Sequence, residues 1–465
     1  MKYEKSHPKP PQRTSGFRKT LRWTARLIGI FILLTAIALL VLFRTALYNR
    51  FVIFPDESAA WDEIRAQRRE VLLDDGWPQF RGACHNHSEL SHDSEVSFPE
   101  ILRAAKQADL DFIFMADHCV DGKADYSLGW RGMHDGVVFI RGFEMAHGFM
   151  QWGLPDDSVL KRDTEPRTLA REIHAKGGLL FFAHPEEDRL WDLPELTGME
   201  IYNLHADFKD EDLRVLLPDL ILNLRDHPDQ TLRLIFDPQT AILARWDELN
   251  QTRRIVGIGA NDAHQNTGLR GYYTERDTFL LRERGPSDIQ EWNLNAFTRF
   301  LLRLLFGPLE PGKELFCITL DPYVQSLRYV NTHLLAREKS EAALLEALGA
   351  GRAFVAFDMI VDARGFTYLA DDGRRKAVMG ETVLLTPELV LLAESPVLCH
   401  FVLVRNGERE TEQTGRTFAH PVSTPGVYRL EAELKIRDAW IPWVYTNPIF
   451  VREEGESPGF ETPPG

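Results

Sequence analysis

Short apolar runs recur through the middle of the chain, and each leads into polar or charged residues. Their length and bulk are typical of strands buried on both faces of a parallel sheet. They occupy residues 112–116, 137–140, 179–183, 199–203 and 255–259. Between them, residues 97–100 have a capping-box pattern that opens a helix through Ala108, and residues 168–176 predict a helix stopped by Gly177-Gly178. This alternation of helix and strand predicts an α/β barrel.

The pattern changes toward the C-terminus. Residues 284–312 are irregular and are expected to cap the barrel. From about Gly380 the chain consists of short strands and turns, and residues 400–405 meet Asn406-Gly407, which is a strong hairpin signal. Apolar and charged residues alternate over 428–434, as in a half-buried strand. These features predict a small C-terminal β-sandwich.

Residues 27–43 carry no charge and are long enough for a short membrane-spanning helix, with Trp23 and Tyr48 as interfacial anchors. The alternative is a cleaved signal peptide. The run is long for a signal peptide, and Arg44 and the residues after it lack a clean A-x-A cleavage site. The sequence therefore favours an uncleaved, single-pass transmembrane anchor.

Charge is distributed unevenly along the chain. Residues 1–26 carry a net charge of +7, whereas the remainder carries −22. The positive-inside rule places the basic tail in the cytoplasm, so the body faces the periplasm or exterior of the cytoplasmic (inner) membrane. A body this acidic gives no support to a nucleic-acid groove, which needs a basic face.

Metal-ligand side chains stand at the ends of the predicted strands. His85 and His87, two residues apart, point to the same face of a strand, and Asp93 in the loop beyond can reach a neighbouring ion. An isolated His-x-His pair is as often an ordinary surface feature. Here the later apolar runs lead into the residues Asp117, His118, Glu144, His184, His205, Asp262 and His264. Because the chemistry of parallel barrels lies where strands end, this series predicts a metal site at the barrel mouth.

Five ordered motifs resemble the PHP (polymerase and histidinol phosphatase) family of metallohydrolases. They are His85-x-His87 with Asp93, Asp117-His118, Gly142-x-Glu144, Ala183-His184-Pro185 and Asp262-x-His264. The resemblance covers roughly residues 81–275 and implies a distorted PHP-type β/α barrel. The segment 445–451 is similar to the end of the carbaryl-hydrolase-like branch of that family.

The patterns along the chain give the domain plan, and the resemblance implies a set of metal ligands. The plan has a basic tail (1–26), a transmembrane anchor (27–43), a linker (44–80) with a short exposed helix over 62–70, the barrel (81–378), the β-sandwich (379–452) and a disordered tail (453–465). Three divalent ions are implied. The first ion would take His85, His87, Glu144 and Asp262, the second Glu144, His184 and His205, and the third Asp93, His118 and His264.

Imidazole and carboxylate ligands suit Zn, Mn or Fe, and the sequence does not choose among them. Glu200 and Asn203 are expected to support the ligands, and Asp117 either binds metal or orients His118. His134 and His147 stay open as ligand or loop residues. Cys84 and Cys119 are expected to face away from the ions as small core residues.

The resulting hypothesis is a membrane-anchored, metal-dependent hydrolase of a small-molecule substrate. The resemblance implies a phosphoesterase in which a hydroxide held between the ions attacks the substrate, with Glu144, Asp262 and His264 as central residues. No Ser or Cys nucleophile is then required. Two alternatives are a carbamate or ester hydrolase acting at the same site and a non-catalytic ligand-binding sensor.

Overall fold

The apolar runs form strands where the sequence predicts them. The computed structural model describes residues 15–285 and 287–455, and strands cover or overlap all the predicted runs. The helices are α1 (Ser15–Tyr48), α2 (Phe54–Ala66), α3 (Phe98–Gln107), α4 (Pro166–Ala175), α5 (Leu204–Asp210), α6 (Leu213–Asn223), α7 (Pro228–Arg233), α8 (Thr240–Asn250), α9 (Ala296–Phe306), α10 (Tyr323–Tyr329) and α11 (Glu341–Gly349). The strands are β1 (Gln79–Asn86), β2 (Phe112–Phe114), β3 (Asp117–His118), β4 (Lys123–Asp125), β5 (Gly132–His134), β6 (Val137–Ile140), β7 (Gly142–Met145), β8 (Phe149–Trp152), β9 (Val159–Lys161), β10 (Leu179–Phe182), β11 (Leu196–Asn203), β12 (Val256–Ala263), β13 (Gly268–Tyr273), β14 (Thr278–Glu283), β15 (Asp288–Asn293), β16 (Lys313–Thr319), β17 (Asn331–Leu335), β18 (Ala353–Ala356), β19 (Thr367–Asp371), β20 (Lys376–Val378), β21 (Thr382–Leu384), β22 (Val390–Arg405), β23 (Glu408–Pro421), β24 (Gly426–Ile436), β25 (Ala439–Thr446) and β26 (Ile449–Arg452).

The strands around the proposed metal ligands form a closed circuit of pairings. β1 pairs in parallel with β2 and β12, and β12, β11 and β10 are successive parallel neighbours. On the other side, β2 pairs in parallel with β6, and the strands that follow them, β3 and β7, pair with each other. β8 completes the circuit, antiparallel to both β7 and β10. A closed circuit is what a barrel requires, although β8 departs from an all-parallel arrangement. Its assignment as a PHP-type barrel stays a prediction.

Apolar side chains of these strands are buried against the helices around them. Phe181 and Ile258 belong to one buried cluster with Leu344 and Leu348 of α11. The predicted capping box of α3 is confirmed, since Ser97 and Glu100 make both reciprocal contacts. These helices hold the strands in place and so fix the ends that carry the polar motifs.

The C-terminal strands continue the sheet of the circuit. β17 pairs antiparallel with β1, β18 with β17, and β25 with β18. The predicted hairpin is confirmed, because Asn406 and Gly407 join β22 to β23 with φ of 52° and 86°, the left-handed pair that a type I′ turn requires. The β18–β25 pairing crosses the proposed domain boundary at residue 378. The β-sandwich assignment stays a prediction.

Residues 268–319 form a separate antiparallel sheet in the order β15-β14-β13-β16, with α9 between β15 and β16. This excursion begins directly after His264 and includes most of the segment expected to cap the barrel. Its strands pair only with one another among the described residues. The segment is therefore more regular than its sequence suggests.

The N-terminal segment is one long apolar helix followed by a shorter one. The stretch Thr20–Ala66 contains a helix long and apolar enough to cross a membrane, and none of its most apolar window is buried. A signal sequence near an N-terminus has the same properties. One π-helical turn, Asn49–Ile53, leads into α2, where Phe54 and Trp61 are buried. The first part of the predicted linker therefore packs on the body, and its helix starts earlier than the predicted 62–70. Residues 1–14 of the basic tail and residues 456–465 of the predicted disordered tail lie outside the described residues.

Candidate metal centre

Every motif singled out in the sequence reaches the same end of the strand circuit. β1 carries His85, β3 is Asp117-His118, and β7 carries Glu144. His184 and His205 follow β10 and β11 closely, whereas Asp262 lies within β12. Because β1, β10, β11 and β12 run parallel, their C-terminal ends meet at one edge of the sheet.

Three of these residues have left-handed backbone conformations. φ is 59° at His85, 49° at His184 and 49° at Asp262. Non-glycine residues rarely adopt such angles, because the strain costs about 1–3 kcal/mol per residue and persists only where the surrounding structure imposes it. The fold bends the chain at the places where these three side chains turn toward one another.

Glu144 lies at the centre of the cluster. Its Oε2 atom is 3.4 Å from His85 Nε2 and 3.4 Å from His118 Nδ1, and its Oε1 atom is 3.6 Å from His184 Nε2. Burial disfavours its charged form, but the contact with His85 outweighs this and lowers the pKa of Glu144 to about 2. One ionised carboxylate therefore faces imidazoles from three strand ends.

Asp262 is a second hub of the cluster. Its Oδ1 atom lies 3.3 Å from His85 Nε2 and 3.2 Å from His87 Nε2, and its Oδ2 atom lies 3.4 Å from His184 Nε2. Although Asp262 is buried, the charges of His85 and His264 hold its pKa well below the usual range. It therefore stays an anion in the interior.

Asp93 gathers the remaining histidines. Its Oδ2 atom is 3.2 Å from His264 Nε2 and 3.4 Å from His118 Nε2. The rings of His87 and His264 stack with their centroids 3.8 Å apart, which links this group to the first two. The predicted ligands thus form one continuous cluster.

Three subsets have ligand atoms within 4.8 Å of one another, close enough to share an ion. They are His85, His87 and Glu144; His85, His184 and Asp262; and His87, Asp93, His118 and His264. His205 is in none of them, although its ring centroid is 5.3 Å from that of His264. Burial lowers the pKa of His205 to about 4, so its imidazole is neutral, as a metal ligand must be.

Several atoms that point into the cluster are buried and have no hydrogen-bond partner in the described part of the chain. They are Nε2 of His85, His87 and His264 and Oδ1 of Asp93 and Asp262. Unpaired buried polar atoms are costly, so each requires an explanation. Neutral imidazole nitrogens and carboxylate oxygens converging on shared points are the donor set of a divalent cation. The residues present therefore fit a metal centre.

The Nδ1 atoms of His85 and His264, on the side of each ring away from the cluster, have hydrogen-bond partners. His85 Nδ1 is 2.5 Å from Glu200 Oε1, and His264 Nδ1 is 2.9 Å from the backbone oxygen of Asp262. Glu200 also accepts hydrogen bonds from the His184 backbone N–H and the Asn203 amide. Such contacts favour a proton on Nδ1 and leave the Nε2 lone pair toward the cluster. Glu200 and Asn203 thus contact the predicted ligands, and their supporting role stays a prediction.

Asp117 contacts the two serines of the first motif, and its role toward a metal ion or His118 stays a prediction. Its carboxylate accepts hydrogen bonds from Ser88 and from Ser91 Oγ, which is 3.0 Å away. Ser91 Oγ in turn lies 3.0 Å from His87 Nδ1 and accepts the His118 backbone N–H. Asp117 therefore reaches the side chain of His87 through Ser91. Nothing in the sequence marked Ser91 beyond its place inside the first motif.

Neighbouring carboxylates also set the protonation of the rings. Burial disfavours a charge on His184, but Glu186, Glu200 and Asp262 raise its pKa to about 9. The pKa of His85 is likewise raised despite full burial, by Asp262 and Glu200. Carboxylates around these two rings therefore favour positive charge, and a metal ion bound there would displace their protons.

A cleft of about 310 Å³ borders the cluster. Its lining includes His184, Asn203 and Lys209 together with four carboxylates, those of Glu186, Glu187, Asp207 and Asp210. Arg141 contacts backbone oxygens of Tyr126 and Gly129, and Arg270 pairs with Glu95. Lys209 was not singled out in the sequence.

The residues left open are placed away from the ligands. His134 stacks on Trp130 at 4.1 Å, and the ring of His147 lies 6.0 Å from Phe149. Cys84 is buried in the apolar cluster of the strands, and burial raises the pKa of its thiol to about 12. Cys119, half-buried, has a pKa raised to about 11 by burial. None of these four belongs to the metal-binding subsets of the described residues.

Comparisons with known proteins find remote similarity to solved structures. No family model matches the chain, and no curated protein matches it significantly. A solved two-domain protein from Bacteroides vulgatus, described as containing a predicted PHP-like metal-dependent phosphoesterase, is 14% identical, with 82% of this chain and 98% of that chain covered and a TM-score of 0.34. A β-glucuronidase from Bacteroides uniformis is 10% identical, with 80% of this chain and 46% of that chain covered and a TM-score of 0.16. At these TM-scores neither similarity carries an argument about this chain.

Proposed function

We propose that the chain is a membrane-anchored, metal-dependent phosphoesterase whose centre is the cluster around Glu144 and Asp262. The observation that carries the proposal is the convergence on carboxylate oxygens of the buried Nε2 atoms of His85, His87 and His264, which make no hydrogen bond within the described part of the chain. Buried polar atoms normally have hydrogen-bond partners, so packing alone does not explain this many polar atoms without hydrogen bonds at one point. A set of divalent cations accounts for all of them.

The ligand groups suggested by the motifs are supported by proximity. His85, His87 and Glu144 would hold one ion, with Asp262 beside both rings. His184 would hold a second ion together with Glu144 and His205, and its Nε2 atom is also 3.4 Å from Asp262. Asp93, His118 and His264 would hold a third. Glu144 and Asp262 are the carboxylates placed to serve more than one ion.

The chain's own residues would prepare this site for hydrolysis. Ions bound there would supply Lewis-acid activation of water and of the substrate's oxygens. Glu200, Ser91 and the backbone oxygen of Asp262 fix the rings that would bind them. The cleft beside His184 would admit the substrate. A phosphoester carries negative charge, which ions bound at this site would favour.

The anchoring part of the proposal rests on α1. Its most apolar window is fully exposed, which is costly in water and favourable in a lipid bilayer. The basic residues that precede it would stay in the cytoplasm, and the body would face the periplasm or exterior.

A hydrolysis screen tests the proposal. Full-length protein, reconstituted separately with Zn, Mn or Fe, is assayed on phosphomonoesters, phosphodiesters, carbamates and aryl esters. We expect turnover of a phosphoester that falls by orders of magnitude in Asp262→Ala and His264→Ala, both of which keep the wild-type circular dichroism spectrum. His174→Gln, on an exposed position of α4, should retain full activity.

Other outcomes would contradict the proposal. Turnover of carbamates or esters alone would replace the phosphoesterase by a different hydrolase at the same site. No turnover of any class by metal-loaded protein would favour a ligand-binding sensor. Near-wild-type activity in either folded variant would place the chemistry elsewhere.

A further inference from the structure

Helix α9 presents a continuous apolar face to the outside of the protein. Phe297, Phe300, Leu301, Leu304 and Leu305 are each 41–71% exposed. Their spacing of three and four residues puts them on one side of the helix. No side chain of α9 is buried, and the structure describes all of them. Exposed apolar patches of this kind mark surfaces for a membrane or for another protein.

The rest of α9 is firmly attached, so its apolar face is held outward. Asn295 and Thr298 form a reciprocal capping box at its start. Arg299 forms an ion pair with Asp277 of the turn between β13 and β14. At the other end, Phe306 stacks on Phe316 of β16 with ring centroids 5.7 Å apart. The helix is therefore an ordered element with one face unpartnered.

The excursion that carries α9 leaves the body at the same end as the metal cluster. β11 and β12 are parallel neighbours, so α5 and α6, which follow β11, emerge beside the excursion that follows β12. Leu204 and Phe208 of α5 line one cavity together with Thr267 and Leu320, which lie at the two ends of the excursion. His205 and His264 line the same cavity.

The end of α1 is attached to α6, one of the helices that follow β11. Asn223 of α6 donates a hydrogen bond to the Ala46 backbone oxygen at 3.0 Å, and Asn49 donates to Asp219 at 3.0 Å. Ala46 lies three residues beyond Phe43, the last residue of the uncharged run, which is a rise of about 4.5 Å. The polar layer on each side of a bilayer is about 5–7 Å thick. If α1 spans a membrane, α6 lies at the depth of the headgroups.

Exposed residues of α6 suit that position. Val215 is 64% exposed and Ile221 is 63% exposed, on a helix held directly against the end of α1. Apolar side chains of this kind are stable at the boundary between headgroups and acyl chains. The bilayer surface would therefore cover the part of the body from which the excursion projects.

The geometry points to α9 as a second membrane contact, with its apolar face in the outer leaflet of the bilayer that α1 crosses. The end of the body that carries the metal cluster then faces the membrane. Arg303, exposed on the same helix, suits anionic headgroups. This inference rests on the anchoring proposed above, but not on any hydrolytic activity.

Spin labels on the full chain in phosphatidylcholine–phosphatidylglycerol vesicles test the inference. The background is Cys317→Ser, because Cys317 is the exposed cysteine, and the unsubstituted parent gives the residual labelling. Labels are attached at Leu304→Cys on α9, at Leu34→Cys on α1, and at Leu398→Cys on β22, where the leucine is 51% exposed. The depth parameter compares collisions with oxygen, which enriches in lipid, and with a water-soluble nickel chelate. We expect it to be positive at positions 304 and 34 and negative at 398.

The other possible labelling results lead to different conclusions. A label at 304 that collides with nickel as freely as the label at 398, while the label at 34 is in lipid, would overturn the inference and leave the anchor standing. A label at 304 shielded from both reagents would overturn it in favour of a second copy of the chain covering α9. A water-accessible label at 34 would overturn the anchor and this inference together, whereas metal content and hydrolysis are measured separately.

Discussion

His85 Nδ1 lies 2.5 Å from Glu200 Oε1, and both side chains are fully buried. The other oxygen of Glu200 accepts the His184 backbone N–H at 2.9 Å and the Asn203 amide at 3.0 Å. All partners of this carboxylate are donors, so a glutamine amide would direct its own N–H2 group at one of them. We predict that Glu200→Gln lowers metal affinity about 10- to 100-fold, the range found for residues that orient metal-bound histidines.

Titration of metal-free protein with Zn or Mn measures this loss. Glu388→Gln, a change of the same kind at an exposed position, is the matched control and should bind as wild type. Unchanged affinity in Glu200→Gln would mean that the His85–Glu200 contact does not prepare a metal ligand.

Arg429 of β24 forms a two-pronged ion pair with Asp247 of α8. Its Nε and Nη2 atoms lie 2.6 Å and 2.8 Å from the two carboxylate oxygens, and both residues are buried. Removing one partner leaves the charge of the other buried without a counter-ion. We therefore predict that Arg429→Leu lowers the free energy of unfolding by about 3–5 kcal/mol, measured by denaturant unfolding in detergent. The double variant with Asp247→Leu should recover part of this loss, since the pair is strongly coupled. A loss within about 0.5 kcal/mol, as at an ordinary surface position, would contradict the assignment.

The Arg429–Asp247 pair shows what can be predicted from the sequence and what cannot. Alternation over residues 428–434 predicts a half-buried strand, and the structure buries Tyr428, Leu430 and Ala432 as expected. The same alternation would put Arg429 on the exposed face, yet it is 5% exposed. Local periodicity reports which face a residue takes, but not what covers that face. Here α8 covers it, with a partner that is remote in sequence.

In the candidate site, too, local features could be predicted from the sequence and features that depend on the fold could not. His85, His87 and Asp93 were predicted from the spacing within one motif, and the other ligands from the polar residues that follow apolar runs, because strand ends are local features. Ser91 carried no such signal, since its importance comes from lying between His87, His118 and Asp117. Lys209 lies on the cleft beside His184 and carried no such signal either.

The composition of the N-terminal region does not predict how it packs. Residues 44–80 are rich in charge and were predicted to be a linker, but Arg65 donates to the backbone oxygens of Met359 and Ile360 at 2.8 Å. Charged residues satisfy distant backbone groups here, which composition does not reveal. The helix α2 is consequently part of the body.

The direction of α1 in the membrane gives a further prediction. The basic residues before the apolar run favour a cytoplasmic N-terminus. Alkaline phosphatase fused after residue 465 should therefore be active in a bacterial host, because it folds only outside the cytoplasm. A green fluorescent protein fusion at the same point should be dark. The reverse pattern, a fluorescent fusion and an inactive phosphatase, would invert the topology.

Glu144 is within 3.8 Å of the rings of His85, His87, His118 and His184, so it is the residue placed to serve most of the proposed ions. Replacing it removes a charge that several cations would share, while the amide keeps the size of the side chain. The central claim is that this cluster is a multinuclear metal centre, and bound metal per chain is its most direct measure. Elemental analysis of purified protein should show more than one equivalent lost in Glu144→Gln and none lost in the exposed control His174→Gln. Equal metal content in wild type and folded Glu144→Gln would contradict the claim.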